Sequence, residues 1–410
     1  MTSVELPLDL HSSEFLEDPA PTLAWLREHD PVHRSPYGYW LLTRHDDIAA
    51  AFRDPRLSSE WSKKALLPGV SARHRADPDL TDPFVRAQRR VLHSFNMKDP
   101  PAHTRIRQLV QQAFTRARVD EQRGRVAEVV EELVSVGIER GSLDLVTELA
   151  FPLTITIASE MIGIPVTARD RFRASFEETE WLGDPTATEA QRAAARASLV
   201  WQIDFISGVI SERRHQPQDD LVTALVHAEL DGETLTDDEI LSALLTLYTA
   251  AGTTTERMIS SGMLLLLQHS EQWATLQREP SLLGGALTEI LRYHHPNQQT
   301  TTARLALEPI DLRGRTIDAG HTVRLALGAA NRDPERWNDP ERFDITRPEL
   351  VSLAFGQGMH YCVGAPLARM QGAAAIGRLA EFPDLRLTDD HVRHDPRRMD
   401  RYEQVRVHFK

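Results

Sequence analysis

Residues 355–369, FGQGMHYCVGAPLAR, constrain this chain more than any other stretch. They hold Cys362, the one cysteine in 410 residues, with Gly356, Gly358 and Gly364 around it and Phe355 and His360 on its N-terminal side. Glycine tolerates positive φ and lets the backbone approach a bulky group closely. The run that follows, LARMQGAAAIGRLA, predicts a helix with Pro366 in its first turn, where a missing N–H costs little. The thiol is therefore expected on a tight loop feeding a helix N-terminus, where the dipole and the loop N–H groups favour thiolate over thiol. Such a thiolate suits a soft metal or a nucleophile. A lone cysteine is also commonly a small buried hydrophobe. His360 as a base for a Cys362 nucleophile is the competing chemistry, although catalytic cysteines usually take their histidine from elsewhere in the chain. A structural zinc site would need more cysteines or a tight histidine cluster.

Phe355, Gly358, His360, Cys362, Gly364, Leu367, Ala368 and Arg369 match the haem-binding signature of the cytochrome P-450 family residue for residue. The chain resembles that family over essentially its whole length, with the motifs in the family's order. The resemblance implies haem b, an axial thiolate from Cys362, and Phe355 and Gly356 beside the cofactor. A thiolate ligand pushes electron density onto iron and favours O–O cleavage.

Earlier in the chain, DPPAHTRIRQLVQQAF (99–114) predicts a helix on which His103 and Arg107, four apart, share a face. Taken alone, that pair reads first as a solvated basic face. The resemblance implies that both bind haem propionates, with Arg304 as a third partner and His360 as a fourth; charge-assisted bonds suit carboxylates.

Residues 237–267 carry the longest helical pattern, with acids in its first turn. Its middle, Ala250-Ala251-Gly252-Thr253-Thr254-Thr255, is small and hydroxyl-rich. Glycine inside a helix costs about 1 kcal/mol relative to alanine, so either close packing or a close ligand is expected there. This stretch is similar to the family's oxygen-binding helix, with Thr255 at the oxygen-activating hydroxyl. The family's usual acid just before it is replaced by Thr254. Glu256 does not stand in for it, since two residues along a helix is about 200° of rotation. The resemblance further assigns Leu247 and Ala251, with Asn297 and Gln298 in the later PNQQTTTAR segment, to the substrate.

Glu289 and Arg292 form an E-x-x-R pair on a helix expected over 285–293; in the family it is buried and structural, completed by a meander arginine, here expected to be Arg342. Other expectations are helices over 14–29, 46–52, 119–165 and 187–215, a strand over 37–43, a long loop with short helices over 58–98, and a polar linker over 176–184. Short strands are expected over 305–307, 310–312, 316–317 and 321–327, with an irregular meander over 330–344. A terminal strand should bury Val405, Val407 and Phe409.

No Gly/Ser- or Pro-rich linker divides the sequence, so one domain is expected over 1–410, mainly α with small β-sheets. The net charge of −13 argues against general nucleic-acid or anionic-membrane binding. A single cysteine fits a reducing compartment. No signal peptide is evident in MTSVELPLDLHSSEF, and apolar runs such as 263–267 are too short to span a bilayer. A cytoplasmic bacterial enzyme of specialised metabolism is expected. It would oxidise a small organic molecule bearing polar groups, using O₂ and two electrons from a separate ferredoxin or flavodoxin with its reductase. Arg105, Arg116 and Arg369 are the candidates for docking that partner. The alternatives are a family member doing aryl coupling or nitration, and a haem protein that binds ligand without turnover.

Overall fold

The structure is a computed structural model that describes residues 10, 12–66, 81–183, 187–300, 302–348, 351–394 and 402–409. Helix makes up 60% of it, with small sheets, which is the expected mainly α class. The chain groups into two compact units, one of Met1–Ser59, Arg123–Thr154 and Thr253–Lys410, the other of Glu60–Gln122 and Ile155–Gly252.

In the first unit, Val32–Arg34, Tyr39–Leu42, Thr322–Leu325, Arg304–Ala306 and Leu57–Ser58 lie in that order in a five-stranded sheet. Thr322–Leu325 runs parallel to Tyr39–Leu42, with Val323 opposite Trp40, and the other pairings are antiparallel. All four residues of Tyr39–Leu42 are buried, because the YWLL run has apolar side chains for both faces. The hairpin Ile310–Leu312/Arg315–Ile317 turns through Arg313 and Gly314, both at positive φ, the geometry that matches strand twist. Strands therefore form close to where alternation and turn residues place them. Val405 and Val407 are buried in Tyr402–His408 as expected, whereas Phe409 lies just past the strand and is half-buried.

Three helical expectations are corrected. The 14–29 segment is two helices, Ser13–Glu17 and Ala20–His29, because Pro19 follows Asp18 and cannot continue the first. The 119–165 segment is interrupted. Arg123–Arg140 ends at Gly141, which has φ +79°, and Ser142–Asp144 then pairs with Tyr402–His408. Leu145–Ala150 and Phe151–Ile162 resume the helix. The stretch Leu145–Ile162 is long and apolar enough by composition to cross a bilayer, yet 67% of it is buried inside the protein, as in a core helix. The third correction is the 176–184 linker, which is largely helical: Arg169–Thr179 runs into a 3₁₀ turn over Glu180–Gly183.

In the second unit, Phe172 and Phe176 share a helix face and pack edge-on against the Tyr248 ring, with centroids at 4.6 and 5.8 Å. Glu189–His215 starts at a capping box between Thr188 and Gln191. Within 58–98 the described residues form the 3₁₀ turns Trp61–Leu66 and Phe95–Met97 and the helix Pro83–Val91; residues 67–80 lie outside the described residues. The long helix runs over Asp237–Gln268, one residue beyond the expected end. Gly252 has a packing reason, since a Cβ there would lie 2.9 Å from Ile155 Cδ1.

Glu289 and Arg292 are fully buried on Leu283–Tyr293 and bonded side-on, at 2.6 and 2.8 Å. The third partner is Arg347, not Arg342. Arg347 Nε donates to Glu289 at 3.1 Å, and its other nitrogens donate to the carbonyls of Asn338, Asp339 and Arg342. The Arg342 side chain is 64% exposed and 3.8 Å from Asp344, whereas Arg347 is 13% exposed. Removing one member of a buried ionic cluster strands the others, while an exposed pair contributes little. Arg347→Ala should therefore destabilise the fold by about 3 kcal/mol and Arg342→Ala by under about 1 kcal/mol, read as urea unfolding midpoints. Equal losses would refute the assignment.

Candidate active site

The Cys362 loop is closed by its own backbone. Cys362 N–H donates to Phe355 O at 2.9 Å, Gly356 N–H to Leu353 O at 2.9 Å, and Tyr361 N–H to Gly358 O at 3.1 Å. Gly356 and Gly358 both have φ +69°, and a Cβ on Gly358 would press on Phe52 O at 3.1 Å. Gly364 caps the helix Ala365–Leu379, with Pro366 in its first turn. A Cβ at position 364 would come within 3.9 Å of Cys362 Sγ. Arg369 lays its guanidinium 4.4 Å over the Phe355 ring. The half-buried thiol thus sits at a helix N-terminus, on a loop kept free of side-chain bulk.

Two of the expected anion-binding residues meet in the first unit through a residue the sequence reading missed. Ser59 Oγ accepts from Arg304 Nη1 and lies 3.1 Å from His360 Nε2. Arg304 is buried at the start of its strand. In the second unit, His103 and Arg107 share a face of Ala102–Ala113, and that face is buried, at 2% and 8% exposure. The solvated-face reading is thereby set aside. Arg107 rests 5.6 Å over the Phe95 ring.

On the long helix, Thr255 and Glu256 are buried and Leu247, Ala251 and Thr254 half-buried. Glu256 Oε1 accepts from Ser260 Oγ at 3.0 Å, one turn further along. After the E-x-x-R helix, Asn297 N–H donates to His295 Nδ1 at 2.9 Å. Gln298 faces a cavity of about 350 Å³ that is also lined by Arg27, His294, Arg332 and Tyr402, with no residue of the Cys362 loop in its wall. A Cβ at Gly328 would fall 1.7 Å from Gln298 Oε1, so the amide occupies space that only glycine leaves open. Of residues 398–402, a polar stretch of the sequence, only Tyr402 lies within the described residues.

The expected docking arginines already have partners. Arg105 pairs with Glu239 and Glu233, Arg116 with Asp120 at 3.1 Å, and Arg369 with the Phe355 ring. The charges of Arg105 and Arg116 are thus paired locally with carboxylates, while Arg369 packs on a neutral ring.

Residues 85–382 match the sequence profile described as Cytochrome P450. The chain belongs to the cytochrome P450 family. It is 39% identical to the cytochrome P450 monooxygenase PikC of Streptomyces venezuelae, over 93% of this chain and 88% of that one. It is 37% identical to the 6-deoxyerythronolide B hydroxylase of Saccharopolyspora erythraea, over 93% of each. The structure of the bacillaene polyketide synthase cytochrome P450 PksS of Bacillus subtilis superimposes with a TM-score of 0.86, at 32% identity, over 98% of this chain and 99% of that one. The protein is accordingly a cytochrome P450 monooxygenase, an oxidoreductase of a haem-iron family that includes the polyketide biosynthesis cytochrome P450 PksS. Residues of the first unit fit that cofactor: one thiol on a glycine-bearing loop at a helix N-terminus, and a buried guanidinium and an imidazole, Arg304 and His360, brought together at Ser59, of the kind that pairs with carboxylates.

Among the described residues, His295 is the titratable group near this P450 loop with a large shift. Its Nε2–H donates to Ala354 O at 3.0 Å and its bare Nδ1 accepts from Asn297, so both backbone partners select the neutral ring. Burial pushes its pKa from 6.5 down to about 4. Between those values the unfolded chain binds the proton and the folded chain does not. The stability is intact above pH 6.5 and is lost as pH falls toward 4, by about 3 kcal/mol. The stability difference between the native protein and His295→Gln should shrink by that amount from pH 7 to pH 4 in denaturant titrations. A constant difference would refute it.

Proposed function

We propose that this P450 binds haem b through the Cys362 thiolate and hydroxylates a small organic molecule that carries polar groups. The carrying observation is the Cys362 loop, which offers a half-buried thiol at a helix N-terminus between positive-φ glycines and a glycine cap. When bound, the haem supplies the activation of O₂ with two electrons. In this reading His103, Arg107, Arg304 and His360 hold the propionates, and Phe355 and Gly356 flank the cofactor. Ser59 orients Arg304 and His360. All of these act as one domain over 1–410. Leu247, Ala251, Asn297 and Gln298 are assigned to substrate; the fixed Gln298 amide supports a polar one. The electrons come from a ferredoxin or flavodoxin with its reductase, and the place of the relative PksS in polyketide biosynthesis supports a specialised metabolite as substrate.

The proton supply rests on Thr255. A threonine hydroxyl at 254 cannot deliver a proton as a carboxyl would, and Glu256 is engaged with Ser260 about 200° round the helix. Thr255, with ordered water or a substrate hydroxyl, carries the relay. The same two observations favour a second reading, in which coupling or nitration chemistry makes less demand on proton delivery; product mass separates the two.

Cys362→Ser should abolish the thiolate-type spectrum of the reduced carbon monoxide complex, and an unchanged spectrum would sink the haem assignment. Thr255→Ala should lower product formed per electron consumed by about tenfold, short of the hundredfold or more a positioned proton donor contributes because ordered water still delivers part of the supply, while Glu256→Gln lowers stability more than this ratio. The opposite ranking would show that the helix has been placed in the wrong register.

A further inference from the structure

His295 has bonds in two directions that neither the propionate set nor the proton relay uses. One runs to the segment assigned to substrate, through Asn297 N–H. The other runs to Ala354 O, one residue before Phe355, whose own carbonyl accepts the Cys362 N–H at 2.9 Å. From the other side, Asn331 Oδ1 accepts from Leu353 N–H at 3.0 Å. Leu353–Phe355 is thus pinned by two side chains from outside the loop, and the buried His295 ring is the one that also reaches the 296–298 segment. A backbone carbonyl can only accept and a backbone N–H can only donate, so the ring has a single satisfactory tautomer in this place. An imidazole that bridges two chain segments with both nitrogens engaged is a rigid strut, and nothing else in the sequence signalled it.

We infer that His295 is a positioning residue that fixes the Cys362 loop to the substrate-assigned segment through its Nε2–H bond to Ala354. The inference rests on the haem-thiolate reading above. Removing the Nε2–H donor leaves a half-buried carbonyl without its partner immediately before the loop, and the loop then departs more readily from the geometry that presents the thiolate. The Nδ1 bond to Asn297 holds the ring, and with it the 295–297 turn, in register.

Asparagine and glutamine separate the two bonds. An asparagine amide reaches the place of Nδ1 and can keep the acceptor for Asn297, while a glutamine amide reaches the place of Nε2 and can keep the donor to Ala354. Both lose the ring's packing. The holoenzymes of the native protein, His295→Asn and His295→Gln are reduced under carbon monoxide. The rate at which the thiolate-type band converts to the thiol-type band is followed at one temperature, below all three unfolding midpoints. His295→Asn should convert at least about fivefold faster than the native protein and His295→Gln within about twofold of it, since one half-buried hydrogen bond separates them. A purely packing role would move both variants alike, so equal rates for the two, fast or slow, would overturn the inference while leaving a native protein with the thiolate band and the haem reading intact. A conversion rate that follows the melting midpoints across the three proteins would overturn it as well. A native protein without the thiolate band would overturn both.

Discussion

A single buried carboxylate organises the approach to the Cys362 loop. Glu289 accepts from two nitrogens of Arg292, from Arg347 Nε and from the Asp344 N–H. A carboxylate buried without such donors would be expelled or neutralised. Its satisfaction draws the meander inward, because the two arginines spend their remaining nitrogens on the carbonyls of Asn331, Pro340, Arg342, Asn338 and Asp339. Asn331, fixed in this way, then receives Leu353 N–H. An irregular segment with no ladder of its own thus has its backbone groups satisfied by side chains, and it delivers the Cys362 loop in one conformation.

The sequence was informative where local chemistry decides the outcome. Acids in the first turn and a long helical pattern located Asp237–Gln268, and the helix expected over 187–215 is Glu189–His215. It was less informative where a distant partner decides. Ser142–Asp144 is a strand because Tyr402–His408, from the far end of the chain, pairs with it; in isolation the segment sits inside a helical pattern. Arg342 and Arg347 lie in similar Pro- and Asp-rich surroundings, and only the folded meander reveals which one turns inward.

The candidate site shows the same division. The Cys362 loop was legible because positive φ demands glycine at 356 and 358 and a helix start accepts proline at 366. His103 and Arg107 were legible as a pair but not as buried, since burial depends on what covers the helix face. Ser59 and His295 gave no signal. A serine and a histidine in unremarkable contexts acquire meaning only through the partners that the fold brings to them. Gly252 carried a signal with two meanings, and its contact with Ile155 supports the packing one.

The fit of the Gln298 amide over Gly328 bears on how this chain can vary. Gly328 N–H also donates to Gln298 O at 3.1 Å, so the two residues hold each other by backbone as well as by shape. Gly328 has no left-handed φ, and its backbone would therefore accept alanine if the amide were absent. The two sites form one unit of substitution. A larger residue at 328 becomes tolerable only together with a shorter one at 298, and their effects on stability should be strongly non-additive. In a library that randomises the pocket segment, position 328 belongs in the same codon set as position 298, although thirty residues separate them in the chain.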